Sequence, residues 1–138
     1  GSVCHVPHGQ AVAIFLPYAL ELNRQQIASS AGELLLPLAG EAVFSRTPSH
    51  RRSEEVICHI RALMTQLHQW TGGRFARFLG EIRGADGEPI LFPDHFDAIV
   101  SLALDDAAMI YNPTTADAAD LGRILDHAMN GRPMLTRS

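Results

Sequence analysis

Residues 6–23, with the sequence VPHGQAVAIFLPYALELN, carry the strongest structural signal in the chain. A helix drawn over residues 9–22 has apolar side chains on every side, which is typical of a helix surrounded by other helices. Pro17 lacks a backbone N–H and crowds the turn before it, so a kink or break is expected between residues 13 and 17. This stretch predicts a central helix with His8 at its entrance.

The pattern of the rest of the chain also favours helices. No two segments show the alternating, β-branched pattern that is typical of β-strands. Ser53, Asp94 and Asp117 are candidate N-caps, the last in a capping-box arrangement with Asp120. Loops are expected at residues 45–50 and 83–89. The predicted fold class is therefore all-α, a multi-helix domain. Helices are expected at residues 24–30, 32–39, 54–70, 74–82, 95–110 and 118–130.

Composition narrows the class of protein. The chain has 138 residues, 46% of them hydrophobic, which is enough for one domain with a core, so residues 1–138 are expected to form a single helical domain. Eleven basic and fifteen acidic residues give a net charge of -4, which argues against nucleic-acid binding. The apolar run at residues 11–22 is too short to span a membrane. Cys4 and Cys58 form no CxxC pattern, so a cytoplasmic location is expected.

His8 is the candidate metal ligand. A lone histidine near a helix start more often caps or packs than binds an ion. Here Pro7 fixes the approach of the chain and Gly9 leaves space beside the imidazole, while the apolar helix behind forms a dry, rigid wall. This surrounding suits a neutral imidazole bound to a divalent metal.

Several segments together resemble the helical C-terminal domain of the iron-containing (group III) alcohol dehydrogenases, in the dehydroquinate synthase-like superfamily. The matching landmarks are VPHG at 6–9, LPYALELN at 16–23, Asp105-Asp106 followed by Asn112-Pro113, and Asp120-Leu121 with Ile124-Leu125. The resemblance implies a metal held by one aspartate and three histidines, with His8 as the last of the four. The other three ligands and the N-terminal nucleotide-binding domain are expected to be absent from this chain. This chain then holds no catalytic or cofactor-binding residue and is expected to be inactive alone.

The same resemblance implies an NAD(P)-dependent oxidoreductase that interconverts an alcohol and an aldehyde or ketone, with a small-molecule alcohol or aldehyde as its substrate. The cofactors would be Fe²⁺, or Zn²⁺, with NAD or NADP; a homo-oligomer is expected, and the fragment is expected to self-associate through an exposed apolar patch. Val12 and Thr114 depart from residues that many members carry, asparagine and arginine, which puts the substrate and subfamily in doubt. The segment that approaches the substrate cleft in the family matches four candidate pocket residues, for which helix-end packing is an equal alternative: Ala108, Met109, Tyr111 and Asn112.

Two other interpretations remain open. Residues 8–14, HGQAVAI, are similar to the HGEAVAIG motif of dehydroquinate synthases, whose histidine binds zinc, and a maleylacetate reductase-like enzyme belongs to the same superfamily. Pro7, the LPY run and the Asp105 to Pro113 landmark favour the alcohol dehydrogenases. The second interpretation is a non-catalytic helical module that binds a partner protein. The remaining histidines, among them His5, His59 and His68, are expected to play surface or packing roles.

Overall fold

The computed structural model describes residues 5–134, without the side chains of residues 107 and 108, and this part of the chain is all-α, as predicted. Its β-structure is limited to one isolated bridge between Arg83 and Pro89. Cys4 lies outside the described residues. None of the helices within residues 5–134 combines the length and apolar character that crossing a bilayer requires. The helices are α1 His8–Leu22, α2 Arg24–Glu33, α3 Leu35–Ala39, α4 Glu41–Arg46, α5 Arg52–Trp70, α6 Phe96–Asp105 and α7 Ala118–Asn130.

Helix α1 lies at the centre and packs against α2, α5 and α7. It continues unbroken through Pro17, so the expected break is absent, although the proline cannot donate a backbone hydrogen bond within the helix. Ile14 is fully buried. Val12 and Leu16, however, are 51% and 43% exposed. The prediction that α1 is covered on every side is therefore wrong, because the three neighbouring helices leave one of its faces open.

One hydrophobic core joins α1, α5, α7 and the segment between α5 and α6. The side chains at its centre come from each of these elements, and those from α1 include Ile14 and Tyr18. The core explains why α1 is rigid even though part of it faces solvent. Its buried members include Ile14, Tyr18, Met64, Leu79, Ile82, Leu91, Ile124, Leu125 and Ala128.

The short helices between α1 and α5 differ from their predicted bounds. Helix α2 extends to Glu33, so the next helix begins at Leu35 rather than at residue 32. Residues 45 and 46 belong to helix α4, although the sequence predicts a loop there. Helix α4 follows directly on Gly40, whose φ of +88° permits the turn between α3 and α4. A 3-10 turn at Ser49–Arg51 occupies the rest of the expected loop.

Helix α5 begins one residue before its predicted cap. The 3-10 turn at Ser49–Arg51 leads straight into the helix, so Ser53 lies inside it, buried, and makes no capping hydrogen bond. The predicted end at Thr71 is confirmed. The apolar residues spaced three and four apart along this helix are expected to form one buried stripe, but Leu63 is exposed. The members that face inward to different degrees are Val56, Ile57, Ile60, Met64 and Leu67.

The predicted helix at residues 74–82 is wrong, since the structure has only a 3-10 turn at Leu79–Glu81. Side-chain oxygens accept hydrogen bonds from backbone amides that would otherwise donate to carbonyls within a helix. The Phe75 amide donates to Thr71 Oγ1 at 2.9 Å, and the Arg77 amide donates to Glu81 Oε2 at 2.8 Å. Burial would raise the pKa of Glu81, but hydrogen bonds from Arg77 and its positive charge hold that pKa below its usual value.

Helices α6 and α7 form the remaining wall of the fold. Helix α6 ends at Asp105, not at residue 110, because Asp106 has extended backbone angles, and a 3-10 turn at Ala107–Tyr111 follows. Asp94 does not cap α6, since the turn Pro93–His95 runs directly into it. At α7 the capping box is confirmed.

The capping box of α7 consists of two reciprocal hydrogen bonds. The Asp120 amide donates to Asp117 Oδ1 at 2.8 Å, and the Asp117 amide donates to Asp120 Oδ2 at 3.2 Å. The predicted stop at Gly131 is also confirmed. This residue adopts the left-handed conformation, and a Cβ there would lie 2.7 Å from the Phe78 ring.

Candidate functional site

His8 is the first residue of α1, and its side chain is exposed. The imidazole makes no hydrogen bond or ion pair with any residue between 5 and 134. Its backbone is nevertheless fixed, because the Pro7 carbonyl accepts hydrogen bonds from the Gln10 and Ala11 amides at 3.1 and 3.0 Å. A Cβ added at Gly9 would meet nothing within 4 Å. The fixed start of α1 thus presents the imidazole of His8 with no bonding partner among the described residues and with open space beside it.

One exposed face of α1 continues from His8 along the helix. Val12, Leu16 and Ala19 are exposed and lie within about 80° of His8 around the helix axis, at about 100° per residue. We call these four residues the His8 face. Apart from the histidine the face is apolar, so it forms an exposed apolar surface next to the imidazole of His8.

The last turns of α1 are held by polar contacts with two other helices. The Glu21 side chain is only 1% exposed and accepts a hydrogen bond from the Arg61 guanidinium of α5. The Tyr18 hydroxyl donates to the His127 carbonyl of α7 at 3.2 Å. Burial raises the pKa of Tyr18, opposed by the charge of Arg61, whose guanidinium carbon lies 5.0 Å from the ring centroid. These contacts fix the position of α1 against its neighbours.

Asn23, which ends α1, fixes the chain segment that carries the candidate pocket residues. Its Nδ2 donates at 2.9 Å to both the Ala19 carbonyl and Asn112 Oδ1. Its Oδ1 accepts from the Thr114 amide at 3.0 Å, and the Asn112 amide group donates to the Thr114 carbonyl. The Thr114 hydroxyl donates to Gln26 Oε1 at 2.8 Å. Two of the sequence landmarks, LPYALELN and Asn112-Pro113, therefore hold each other in place.

A cavity of about 260 Å³ lies between α1, α6, α7 and the segment after α6. Met109 and Asn112, two of the candidate pocket residues, contribute to its wall. Tyr111 does not line the cavity and is 83% exposed. The side chain of Ala108 is not among those that the structure describes. The sequence-based grouping of these four as a substrate pocket stays a prediction. The remaining wall is formed by Phe15, Ala19, Leu22, Asn23, Ile99, Val100, Ala103, Ala116, Leu121, Ile124 and Leu125.

A metal site needs more ligands than His8 alone. Within residues 5–134 no three histidine, cysteine, aspartate or glutamate side chains are grouped so that they could hold an ion. His59 and His68 bond carbonyls near them on the chain, those of Glu55 at 2.8 Å and Phe75 at 2.7 Å. The free imidazole of His8 fits a single metal ligand, while the described residues do not form a complete site.

Sequence reasoning missed the polar residues that position this region. Glu21, Arg61 and Asn23 were not predicted to make contacts, although Glu21 lies in a largely apolar helix and Asn23 directly follows that helix. Such a residue in a helix predicted to be buried needs a partner, because a buried charge or amide without one is costly. That signal could have indicated tertiary contacts, but not which residues make them.

Comparison with known proteins gives two matches. The model of the Fe-containing alcohol dehydrogenase family, C-terminal, matches residues 1–129. The probable alcohol dehydrogenase EutG of Salmonella typhimurium is 26% identical over 121 residues, which make up 88% of this chain and 25% of that protein. The chain thus spans a quarter of the length of this relative. No solved structure matches it.

Proposed function

The chain belongs to the Fe-containing alcohol dehydrogenase family through its C-terminal domain, and we propose that it is the metal-binding domain of an NAD(P)-dependent alcohol dehydrogenase. The complete protein would interconvert an alcohol and an aldehyde or ketone. The family match over residues 1–129, which includes His8 at the exposed start of α1, carries this proposal. The alcohol dehydrogenase name of the EutG relative supports it.

In this proposal His8 is one of the protein ligands of Fe²⁺, or of Zn²⁺. One aspartate and two further histidines would come from the rest of the complete protein, because a catalytic metal generally needs three or more protein ligands. The ion, when bound, acts as a Lewis acid toward the substrate oxygen. Residues 5–134 supply no such set by themselves, so the isolated chain is expected to be inactive.

The chain's own residues would form one wall of the cleft. His8 would offer an imidazole nitrogen, and the apolar His8 face, once covered by the rest of the enzyme, would keep water away from the same side of α1. Met109 and Asn112 lie at the neighbouring cavity, and Ala108 and Tyr111 remain further candidates for contact with substrate. NAD or NADP would be bound mainly by a nucleotide-binding domain outside this chain, and hydride transfer is the chemistry of that cofactor.

The partners in this proposal are other parts of the same enzyme. Val12 and Leu16 are exposed apolar residues on the His8 face, which the nucleotide-binding domain would cover. We expect a homo-oligomer in the complete protein and self-association of the isolated chain. A cytoplasmic location is part of the proposal, and neither nucleic acid nor membrane is expected as a partner.

A coupled assay of nucleotide reduction tests the proposal. The complete protein, supplied with Fe²⁺ or Zn²⁺, should reduce NAD or NADP in the presence of primary alcohols, measured by absorbance of the reduced nicotinamide. The isolated chain should give no turnover under the same conditions. Turnover by the isolated chain would contradict the requirement for further ligands, and a complete protein inactive with every alcohol and both nucleotides would contradict the proposed activity.

A further inference from the structure

The cavity between α1, α6 and α7 is almost entirely apolar. Of the thirteen residues that line it, Asn23 and Asn112 alone have polar side chains. Both amide nitrogens of this pair already donate hydrogen bonds, to Ala19 and Asn112 from one residue and to Thr114 from the other. A cavity of this kind holds water poorly, whereas an apolar group can enter it without losing hydrogen bonds.

The size of the cavity limits its ligand. Its volume of about 260 Å³ exceeds the roughly 150 Å³ of an engineered apolar cavity that binds benzene. It falls below the range of about 300–1,000 Å³ that is usual for drug-sized ligands. A short alkyl tail or a single ring matches this volume.

The cavity and His8 share one side of α1. Phe15 and Ala19, which line the cavity, lie seven and eleven residues after His8, within about 20° of it around the helix axis. At about 1.5 Å per residue the nearer of the two is about 10 Å further along the axis. The cavity residues on α1 extend from Phe15 to beyond Leu22, about 10 to 21 Å along the axis from His8, so a molecule with one end at His8 needs a long tail to reach the cavity.

We propose that this cavity binds the apolar tail of the substrate, and that the enzyme therefore prefers primary alcohols and aldehydes whose alkyl tails are long enough to reach it over short ones such as ethanol. The preference for one alcohol over another rests on the proposed dehydrogenase function. Binding of an apolar chain to the cavity does not depend on that function. A second hydroxyl at the far end of the tail would lie against a lining that is apolar apart from two asparagines, whose amides are already hydrogen-bonded to each other and to Thr114. The cavity thus discriminates against diols of the same length.

Binding to the chain itself tests the cavity without any metal or nucleotide. We expect 1-hexanol, titrated into the chain labelled at methyl groups, to shift the NMR signals of Met109, Leu121 and Ile124 with saturation. The matched ligand 1,6-hexanediol should bind at least about tenfold more weakly. Equal affinity for the two ligands, or shifts that do not map to the cavity, would overturn the proposal.

Filling the cavity tests the same site in the complete protein. Ala103→Leu places three extra carbons in the cavity, and Ala116→Leu does so from a different wall, in case the first variant folds poorly. Each should lower kcat/KM for 1-octanol tenfold or more and leave that for ethanol within a factor of two. Ala62→Leu, on the exposed side of α5, is the matched control and should change neither.

The outcomes separate the two proposals. Equal loss for 1-octanol and ethanol, or no loss for either, would overturn the assignment of the cavity to the substrate tail. If the unsubstituted protein turns over no alcohol at all, the proposed function fails, and the NMR titration alone then decides whether the cavity binds apolar chains.

Discussion

The two halves of α1 differ in their exposure and in their contacts with the rest of the fold. Toward its start, His8, Val12 and Leu16 face outward and make few contacts. Toward its end, Tyr18, Glu21 and Asn23 are buried and bond to α7, α5 and the segment after α6. The same helix is thus anchored at one end and presents a histidine at the other. The difference shows that one helix can present an exposed histidine at its start because buried side chains elsewhere along it, such as Ile14 and Glu21, hold it against the fold.

The half of α1 that is anchored to its neighbours contains the contacts whose loss should lower the free energy of unfolding most. A carboxylate that is 1% exposed loses nearly all of its hydration and depends on its partner. An exposed apolar face, in contrast, loses little when it is changed, because its side chains contact mainly solvent. Substitutions along one helix can therefore test the two roles separately.

The largest effect is expected from Arg61→Ala, which removes the guanidinium that donates a hydrogen bond to the buried Glu21 carboxylate. We expect the free energy of unfolding to fall by about 3–5 kcal/mol, measured by urea denaturation near neutral pH. The double variant Glu21→Met, Arg61→Met should recover most of the loss, since it removes both charges together. Arg24→Ala, at an exposed arginine of α2, is the control. A loss below about 1 kcal/mol for Arg61→Ala would show that the pair does not anchor α1.

A pair of alanine variants on α1 compares its two faces directly. Ile14 is fully buried and Val12 is half exposed. Ile14→Ala should cost about 2–5 kcal/mol of unfolding free energy, because it removes core contacts and leaves a cavity. Val12→Ala should cost no more than about 0.5 kcal/mol by the same denaturation measurement. Similar costs for the two would contradict the open face of the helix.

A smaller effect is expected from Asn23→Ala, which removes the link between α1 and the segment after α6. The Thr114 amide and Asn112 Oδ1 would each lose a partner. The expected cost is about 1–3 kcal/mol of unfolding free energy. Hydrogen exchange at the Thr114 amide should accelerate, while exchange in α5 changes in proportion to global stability alone. Unchanged exchange at Thr114 would show that this bond does not hold the segment.

Periodicity and capping residues predicted the all-α fold and the strongest helices. The pattern of α7, with Asp117 and Asp120 at its start and Gly131 at its end, leaves little choice, because each of these signals acts within a few residues. Residues 74–82 failed for a different reason. There the side chains of Thr71 and Glu81 bond the backbone, and apolar spacing contains no information about such bonds.

The candidate site shows the same limit. His8 could be singled out from its neighbours along the chain, Pro7 and Gly9. The cavity could not, since it joins Phe15, Ile99 and Leu125, which lie far apart in sequence. Likewise Asn23 and Asn112 are recognisable as landmarks, but their hydrogen bond spans 89 positions and follows only from the packing of α1 against the rest of the fold.

The metal content of the complete protein with His8→Ala tests the central claim most directly. The unsubstituted protein should purify with, or be loaded to, about one Fe²⁺ or Zn²⁺ per chain, measured by plasma mass spectrometry. His8→Ala should lose most of this metal at unchanged helical circular dichroism, whereas the control His50→Ala, at an exposed histidine outside α1, should retain it. Full metal content in the His8→Ala protein would contradict the assignment of His8 as a ligand.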